Sequence, residues 1–354
     1  MVLSPLLSSE PGSTVRSTSG LLLLNNNTMT LLGTTTVGGP PSASSFVVDD
    51  LSIGAGTSSF NVTVPVLASS TTFTLPVGTT TGGNAYSPVS LVFTSNTTTA
   101  RVIGVVVKNT QDPHDVTGTN YLKRYWTFTD NQAGNGTYSY TPTFTALAAD
   151  VTGTATSINL NWWNGQWNQV PTTVAGTGPY TYTATAPALT QTTGTIGGSQ
   201  FTGRVNTQQT YTWVPTVTGT YDWTVPANWS PARYSPLATD ILLFNNASTT
   251  TANNIPTQTI AQLLVSNNTN ISLQAAASGT VLTLGSASGT NFTVGAGSTV
   301  QLSSAGANQL TLAFAATQSA TIGGTLILNS NTSNNNTYIL CARYCIIIDR
   351  RCGV

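Results

Sequence analysis

The chain has 354 residues, of which 39% are hydrophobic and only 6% are charged: ten basic residues, ten acidic residues and, in addition, one histidine. A soluble domain normally has about a quarter of its residues charged, and helix surfaces depend on charged and amide side chains. The composition therefore argues against a mainly helical protein, and the formal charge of zero provides no basic surface for nucleic acid or an anionic membrane.

The polar residues predict an all-β fold. Threonine fills close to a fifth of the chain, and its β-branched side chain suits a half-buried strand. Asparagine and glycine supply the backbone conformations that tight turns need. A coat of hydroxyl and amide groups is also typical of secreted surface proteins, so we expect an extracellular, cell-surface-associated location.

The first residues predict neither a signal peptide nor a membrane span. Residues 1–20 lack a basic region and are interrupted by Pro5 and Pro11. The apolar run Leu21–Leu24 ends at three asparagines, whereas a span needs about 20 apolar residues. We expect no membrane insertion and interpret the chain as an internal piece of a longer protein.

Residues 1–66 are predicted to form a β-solenoid-like segment. Short apolar pairs such as Met29/Leu31 and Val62/Val64 alternate with polar residues and are separated by turns rich in glycine, asparagine and serine. This pattern indicates strands of three to five residues, as in a parallel β-helix.

Residues 67–206 have longer, more aromatic strands, with clear period-two alternation in Tyr180–Ala184. About seven strands with turns between them predict an immunoglobulin-like β-sandwich. Since no cysteine pair lies in this zone, Trp126 is expected to fill the core, with Arg124 packed along the surface.

The segment Trp162–Trp167 contains the strongest local turn signal, because Asn164–Gly165 favours a tight hairpin. One interpretation is an exposed aromatic surface on which a sugar stacks, formed by Trp162, Trp163 and Trp167. The alternative is a cross-strand aromatic pair that stabilises the hairpin.

Residues 207–335 are predicted to form a Trp-rich cap followed by a second β-solenoid, with an antiparallel sandwich as the alternative. Trp213 and Trp223 are expected to cover the end of the solenoid. Trp229 is either part of this cap or a further glycan contact.

The tail, residues 336–354, differs from everything before it and holds Cys341, Cys345 and Cys352. Three thiols fall short of the four ligands of a structural zinc site. We interpret the tail as disordered or as a sequence artefact.

Candidate catalytic and metal-binding residues are few. Asp112, Asp115 and Asp130 could meet near His114, which leaves a structural Ca²⁺ open, but no EF-hand spacing is present. No G-x-S-x-G motif accompanies His114. We expect no enzyme activity and no cofactor.

Several segments together resemble a cassette of large repetitive surface proteins that Bacteroidota export by type IX secretion. The resemblance covers about residues 15–335. Its matching segments are Phe73–Gly78, Tyr86–Leu91, Leu122–Thr127, Trp163–Trp167, Trp223–Pro231 and Asp240–Phe244. It implies a secreted adhesin in which sandwich and solenoid modules alternate, and it implies no catalytic residue.

The leading hypothesis is thus a non-enzymatic structural module of a bacterial surface adhesin, whose partners are neighbouring modules, further copies of itself or surface polysaccharide. The alternative is a carbohydrate-binding module that uses exposed tryptophans. A third hypothesis, ice binding, comes from Thr72-x-Thr74 and Thr181-x-Thr183-x-Thr185.

Overall fold

The computed structural model describes residues 6–8, 14–16, 20–32, 36–38, 42–49, 58–97, 99–116, 118–132, 135–185, 189–190, 196–234, 236–285, 290–302, 308, 310–315, 318–328 and 339–341. These residues form strands and three 3-10 turns, without an α-helix, so the predicted all-β fold is confirmed. In the described part, no helix has the length and hydropathy that a membrane crossing requires. The chain divides into an N-terminal unit, residues 1–206, and a C-terminal unit, residues 207–354.

The strands described in the N-terminal unit are β1 (Leu6–Ser8), β2 (Thr14–Arg16), β3 (Leu22–Leu23), β4 (Thr28–Leu31), β5 (Thr36–Gly38), β6 (Val47–Val48), β7 (Ser59–Val64), β8 (Thr71–Leu75), β9 (Val77–Thr79), β10 (Ala85–Tyr86), β11 (Val89–Asn96), β12 (Arg101–Lys108), β13 (Tyr121–Asp130), β14 (Tyr138–Ala146), β15 (Val151–Thr152), β16 (Asn159–Trp163), β17 (Trp167–Gln169), β18 (Thr172–Ala175), β19 (Tyr180–Ala184), β20 (Leu189–Thr190) and β21 (Gln200–Arg204). Two 3-10 turns accompany them, Ala148–Asp150 and Ala155–Ser157.

The first nine strands include the coils of a β-solenoid. Strands β1, β4 and β7 pair in parallel, as do β2 with β5 and β3 with β6 and β9. Met29 and Leu31 of β4 lie in register with Phe60 and Val62 of β7, and all four side chains are buried. Each coil therefore buries its apolar pair beside that of the next coil, and the predicted solenoid is confirmed.

The solenoid continues directly into a larger sheet. Strand β7 pairs in parallel with β4 on one side and antiparallel with β12 on the other. The resulting large sheet has the order β1-β4-β7-β12-β13-β21-β16-β17, with β15 beside β13. Since this sheet contains strands from before and after residue 66, the first two predicted zones share one hydrogen-bonded sheet.

A second sheet packs on the large sheet. This small sheet has the order β18-β19-β14-β11-β8, with β20 beside β14. Trp126 of β13 is fully buried and lies 4.8 Å from Phe144 of β14 between ring centroids. Its indole N–H donates to the backbone oxygen of Ser87 at 3.1 Å. The polar atom of the largest core side chain is therefore satisfied.

The interpretation of Arg124 as a surface residue is wrong. Its side chain is fully buried, and its guanidinium donates to both carboxylate oxygens of Asp150 at 2.7 and 3.0 Å. It also donates to Thr79 Oγ1 at 3.2 Å and to Asn109 Oδ1 at 3.0 Å. Four acceptors compensate the loss of hydration, which explains how this charge is buried.

The strands of the C-terminal unit are β22 (Thr210–Trp213), β23 (Thr220–Asp222), β24 (Trp229–Ser230), β25 (Ile241–Phe244), β26 (Thr249–Ile255), β27 (Gln258–Ile260), β28 (Gln262–Val265), β29 (Asn270–Ala275), β30 (Thr280–Leu284), β31 (Thr290–Val294), β32 (Thr299–Leu302), β33 (Leu310–Phe314), β34 (Ser319–Ile322), β35 (Thr325–Leu328) and β36 (Ile339–Cys341), with a 3-10 turn at Pro226–Asn228.

These strands form a three-sided solenoid. The sheets β22-β25-β28-β31-β34, β23-β26-β29-β32-β35 and β27-β30-β33-β36 are each parallel. Leu242, Leu263 and Phe292 align across three successive coils and are fully buried. The predicted second solenoid is confirmed, and the alternative of an antiparallel sandwich is wrong for this unit.

Strand β24 covers the edge of the first coil by pairing antiparallel with β22. Trp229 packs against Trp213 at 4.9 Å and Trp223 at 5.0 Å, and all three rings lie near Phe244. The edge strand thereby gains a hydrogen-bonded partner and an aromatic core.

The predicted tail, residues 336–354, lies outside the described residues except for the backbone of β36.

We expect Arg124→Met to lower the free energy of unfolding by about 3–5 kcal/mol, because it leaves the buried Asp150 carboxylate without its cation. Urea denaturation followed by tryptophan fluorescence measures this change. Lys123→Met, at the exposed neighbouring position, is the matched control and should change stability by less than about 0.5 kcal/mol. Equal losses in the two variants would contradict a structural role for the Arg124–Asp150 pair.

Candidate functional site

The two adjacent tryptophans of β16 lie on opposite faces of the large sheet. Trp162 is 3% exposed and lies near Phe201, whose ring packs against Phe144 of the small sheet. Trp163 therefore lies on the outer face, where it is half-buried. It pairs across the hairpin with the half-buried Trp167, with 5.2 Å between ring centroids.

His114 completes an aromatic cluster on this outer face. Its imidazole stacks on Trp163 with 4.4 Å between centroids and 16° between ring planes. Its backbone oxygen accepts a hydrogen bond from the Trp167 indole at 3.2 Å. We call His114, Trp163 and Trp167 the aromatic ledge. Because backbone and ring contacts hold each member, the ledge is a preformed surface.

The orientation of His114 is fixed by two acceptors. Its Nδ1 atom lies 3.1 Å from Asp112 Oδ1 and 3.0 Å from Gln200 Oε1. A hydrogen on Nδ1 is shared between both acceptors. Burial raises the pKa of Asp112, although hydrogen bonds from His114 oppose this effect.

Arg204 anchors the loop that supplies His114. Its guanidinium donates to Asp115 Oδ1 at 3.0 Å and lies 4.7 Å above the centre of the Trp167 ring. Both partners of this ion pair are buried. Arg204 thus joins the loop between β12 and β13 to the hairpin. No local sequence pattern indicates this role, because Arg204 is 89 residues from Asp115 in the chain.

The structure removes two residues from the candidate glycan contacts. Trp162 is 3% exposed and Trp229 is 2% exposed, so a sugar ring cannot stack on either. Trp162 fills the space between the sheets, and Trp229 belongs to the aromatic core of the first C-terminal coil. Trp126, Trp213 and Trp223 are likewise buried, at 0%, 0% and 2% exposed.

The acidic residues considered for Ca²⁺ do not converge. Asp115 pairs with Arg204, whereas Asp130 pairs with Arg101. Asp112 instead accepts hydrogen bonds from the backbone and the ring of His114. Within the described ranges no three histidine, cysteine, aspartate or glutamate side chains are grouped as a metal site would require.

The threonine motifs behind the ice-binding hypothesis meet on the outer face of the small sheet. Cross-strand pairs align five hydroxyl residues in one row: Thr74, Ser90, Thr143, Thr183 and Thr173. Thr143 and Thr183 are hydrogen-bonded to each other at 3.0 Å. Ice binding stays a prediction, which a thermal-hysteresis measurement would test.

No family model matches the chain, and neither the curated proteins nor the solved structures contain a significant match.

We expect Arg204→Met to loosen the loop that carries His114, because Asp115 loses its buried cation. Hydrogen exchange at residues 111–116 should accelerate by about tenfold or more. Exchange in the strands of the C-terminal unit provides an internal control and should not change. If the loop kept its protection in this variant, Arg204 would not be its anchor.

Proposed function

We propose that the chain is a non-enzymatic structural module of a secreted bacterial cell-surface adhesin. The observation that carries this proposal is the placement of charge: Arg101, Arg124, Arg204 and Arg233 are all buried in ion pairs with aspartates. With these cations inside, the outer strand faces are left largely to hydroxyl and amide groups. Such surfaces suit many weak contacts better than they suit acid–base chemistry.

The outer rows of the C-terminal solenoid support the same proposal. Thr249, Asn270, Thr299 and Thr325 align across four successive coils. Their side chains are exposed or half-buried, and none is charged. A row of this kind contacts a neighbouring module or a second copy without the repulsion between like charges. The resemblance to type IX-secreted repeat proteins supports the extracellular location.

Residues 67–206 are part of this proposal as an immunoglobulin-like sandwich. Two mainly antiparallel sheets with an aromatic core around Trp126 and Phe144 support that assignment. The continuation of the large sheet into the parallel coils is the feature that a free-standing sandwich would lack.

Beads that carry many copies of the chain should adhere to one another, whereas single copies in solution stay monomeric. Multivalent display raises the apparent affinity by about 10²–10⁴-fold, so contacts too weak for single copies become measurable. Light scattering of the beads and ultracentrifugation of the free chain measure the two states.

The variant that tests the surface is the double substitution Thr249→Lys and Thr325→Lys, which places cations at both ends of the exposed solenoid row. Wild-type beads are its reference. We expect it to reduce bead clustering at low salt, with recovery as salt screens the charges. Wild-type beads that remain dispersed would contradict self-association through these surfaces.

Carbohydrate binding is the second candidate, and the half-buried rings of Trp163 and Trp167 favour it. A ring fixed on a sheet loses little conformational entropy when a sugar stacks on it. On a glycan array, Trp163→Ala should abolish binding. Tyr180→Ala, at a half-buried aromatic position of the small sheet, should retain it. Binding that survives Trp163→Ala would exclude the ledge as the glycan site.

A further inference from the structure

A polar groove lies on the same outer face of the large sheet as the aromatic ledge. Its volume is about 560 Å³, and strands β4, β7, β12 and β13 form its walls. The residues that matter here are Asp49, Ser59, Asn61, Lys108, Thr127 and Thr129. We call this cavity the polar groove. Its size and its converging hydroxyl and amide groups are those of a site for a small polar ligand.

Gly104 allows three of these polar side chains to converge. A Cβ atom at this position would collide with Asn61 Oδ1, Thr129 Oγ1 and Ser59 Oγ. Ser59 also donates a hydrogen bond to Asn61 within this group. The absence of a side chain at Gly104 therefore keeps three oxygen atoms together at the floor of the groove.

The sheet register joins the groove to the ledge. Thr127, at the edge of the groove, pairs with Gln200, and Gln200 pairs with Trp163. Neighbouring strands are about 4.8 Å apart, so Thr127 and Trp163 are separated by about 10 Å. His114 lies at the junction, since it contacts both Gln200 and Trp163. A ligand with several linked rings is long enough to contact both parts.

Lys108 indicates the charge of that ligand. It lines the groove and is half-buried, and it forms no ion pair with any residue that the structure describes. Asp49 also lines the groove, but it is buried, and its carboxylate accepts a hydrogen bond from the backbone of Val107 at 3.2 Å. Lys108 is therefore the more accessible of the two charged groups. An ammonium group in a groove of hydroxyls complements a carboxylate on a sugar.

We propose that the outer face of the large sheet binds a linear polysaccharide of uronic acid units. One sugar ring packs against the aromatic ledge at Trp163 and Trp167, and a carboxylate farther along the chain pairs with Lys108. Hydroxyl groups of other units bond to the polar floor at Asn61 and Thr129, which lies on the opposite side of the Thr127 row from Lys108. This assignment rests on carbohydrate binding at the aromatic ledge, which is the second candidate function.

Titration calorimetry with galacturonic acid hexamers tests the proposal, and the same hexamers with methyl-esterified carboxylates are the matched ligand. We expect the acid form to bind at least tenfold more tightly than the ester. Lys108→Gln should remove this preference while leaving binding of the ester unchanged. Trp163→Ala should weaken both ligands. Gly104→Ala should also weaken both ligands, because it displaces the groove floor that binds their hydroxyl groups, with circular dichroism verifying that the variant is folded.

Lys123→Gln is the control for a general effect of charge, because Lys123 is exposed on β13 and does not line the groove. It should leave both affinities unchanged. If Lys123→Gln and Lys108→Gln weakened the acid form equally, attraction would be nonspecific and the proposal would be wrong. Equal binding of acid and ester, lost in Trp163→Ala, would overturn the uronate assignment while leaving the ledge as a glycan site. Absence of binding to these hexamers and to a neutral glycan array would overturn both.

Discussion

The interaction on which the rest of the structure depends is the buried arginine–aspartate pair. Arg101, Arg124, Arg204 and Arg233 are at most 6% exposed, and each contacts an aspartate. A pair of this kind is costly to assemble and costlier to break, since either partner alone is an unpaired buried charge. The pairs Arg124–Asp150 and Arg204–Asp115 join segments that apolar alternation alone does not bring together, so they fix a 3-10 turn and a loop onto the sheets.

This use of charge explains the unusual composition. Ten basic and ten acidic residues would normally coat a surface, yet here many of the described ones are internal. Outer rows such as the one from Thr249 to Thr325 then consist of threonine and asparagine. Surfaces without net charge associate readily with other chains, a hazard for most soluble proteins. For a module that works by contact with neighbours, the same property is useful.

Sequence patterns predicted the coils well, because each coil repeats a local signal. The alternation in segments such as Leu263/Val265 shows which side chains face inward, and burial of both residues agrees with it. The hairpin at Asn164–Gly165 was equally local. Only part of the aromatic ledge can be predicted from the sequence. Trp163 and Trp167 are indicated by the hairpin signal between them. His114 and Arg204 contact these two rings through loop and strand pairings that no short stretch of sequence contains. Trp162 and Trp229 were predicted as exposed glycan contacts but are buried, because residue type alone does not reveal which face of a strand is covered.

The continuity of the large sheet gives these local features a common consequence. Strand β7 belongs to a coil and, through β12, to the sheet that carries the ledge, so the hydrogen-bond ladder fixes the spacing between groove and ledge. A site divided between two loops would require ordering on binding, which costs affinity. Here the spacing follows from strand geometry, and only His114 arrives on a loop, held there by Asp112, Gln200 and the Trp167 indole. The feature that makes the fold stiff is thus the feature that makes an extended, preformed binding surface possible.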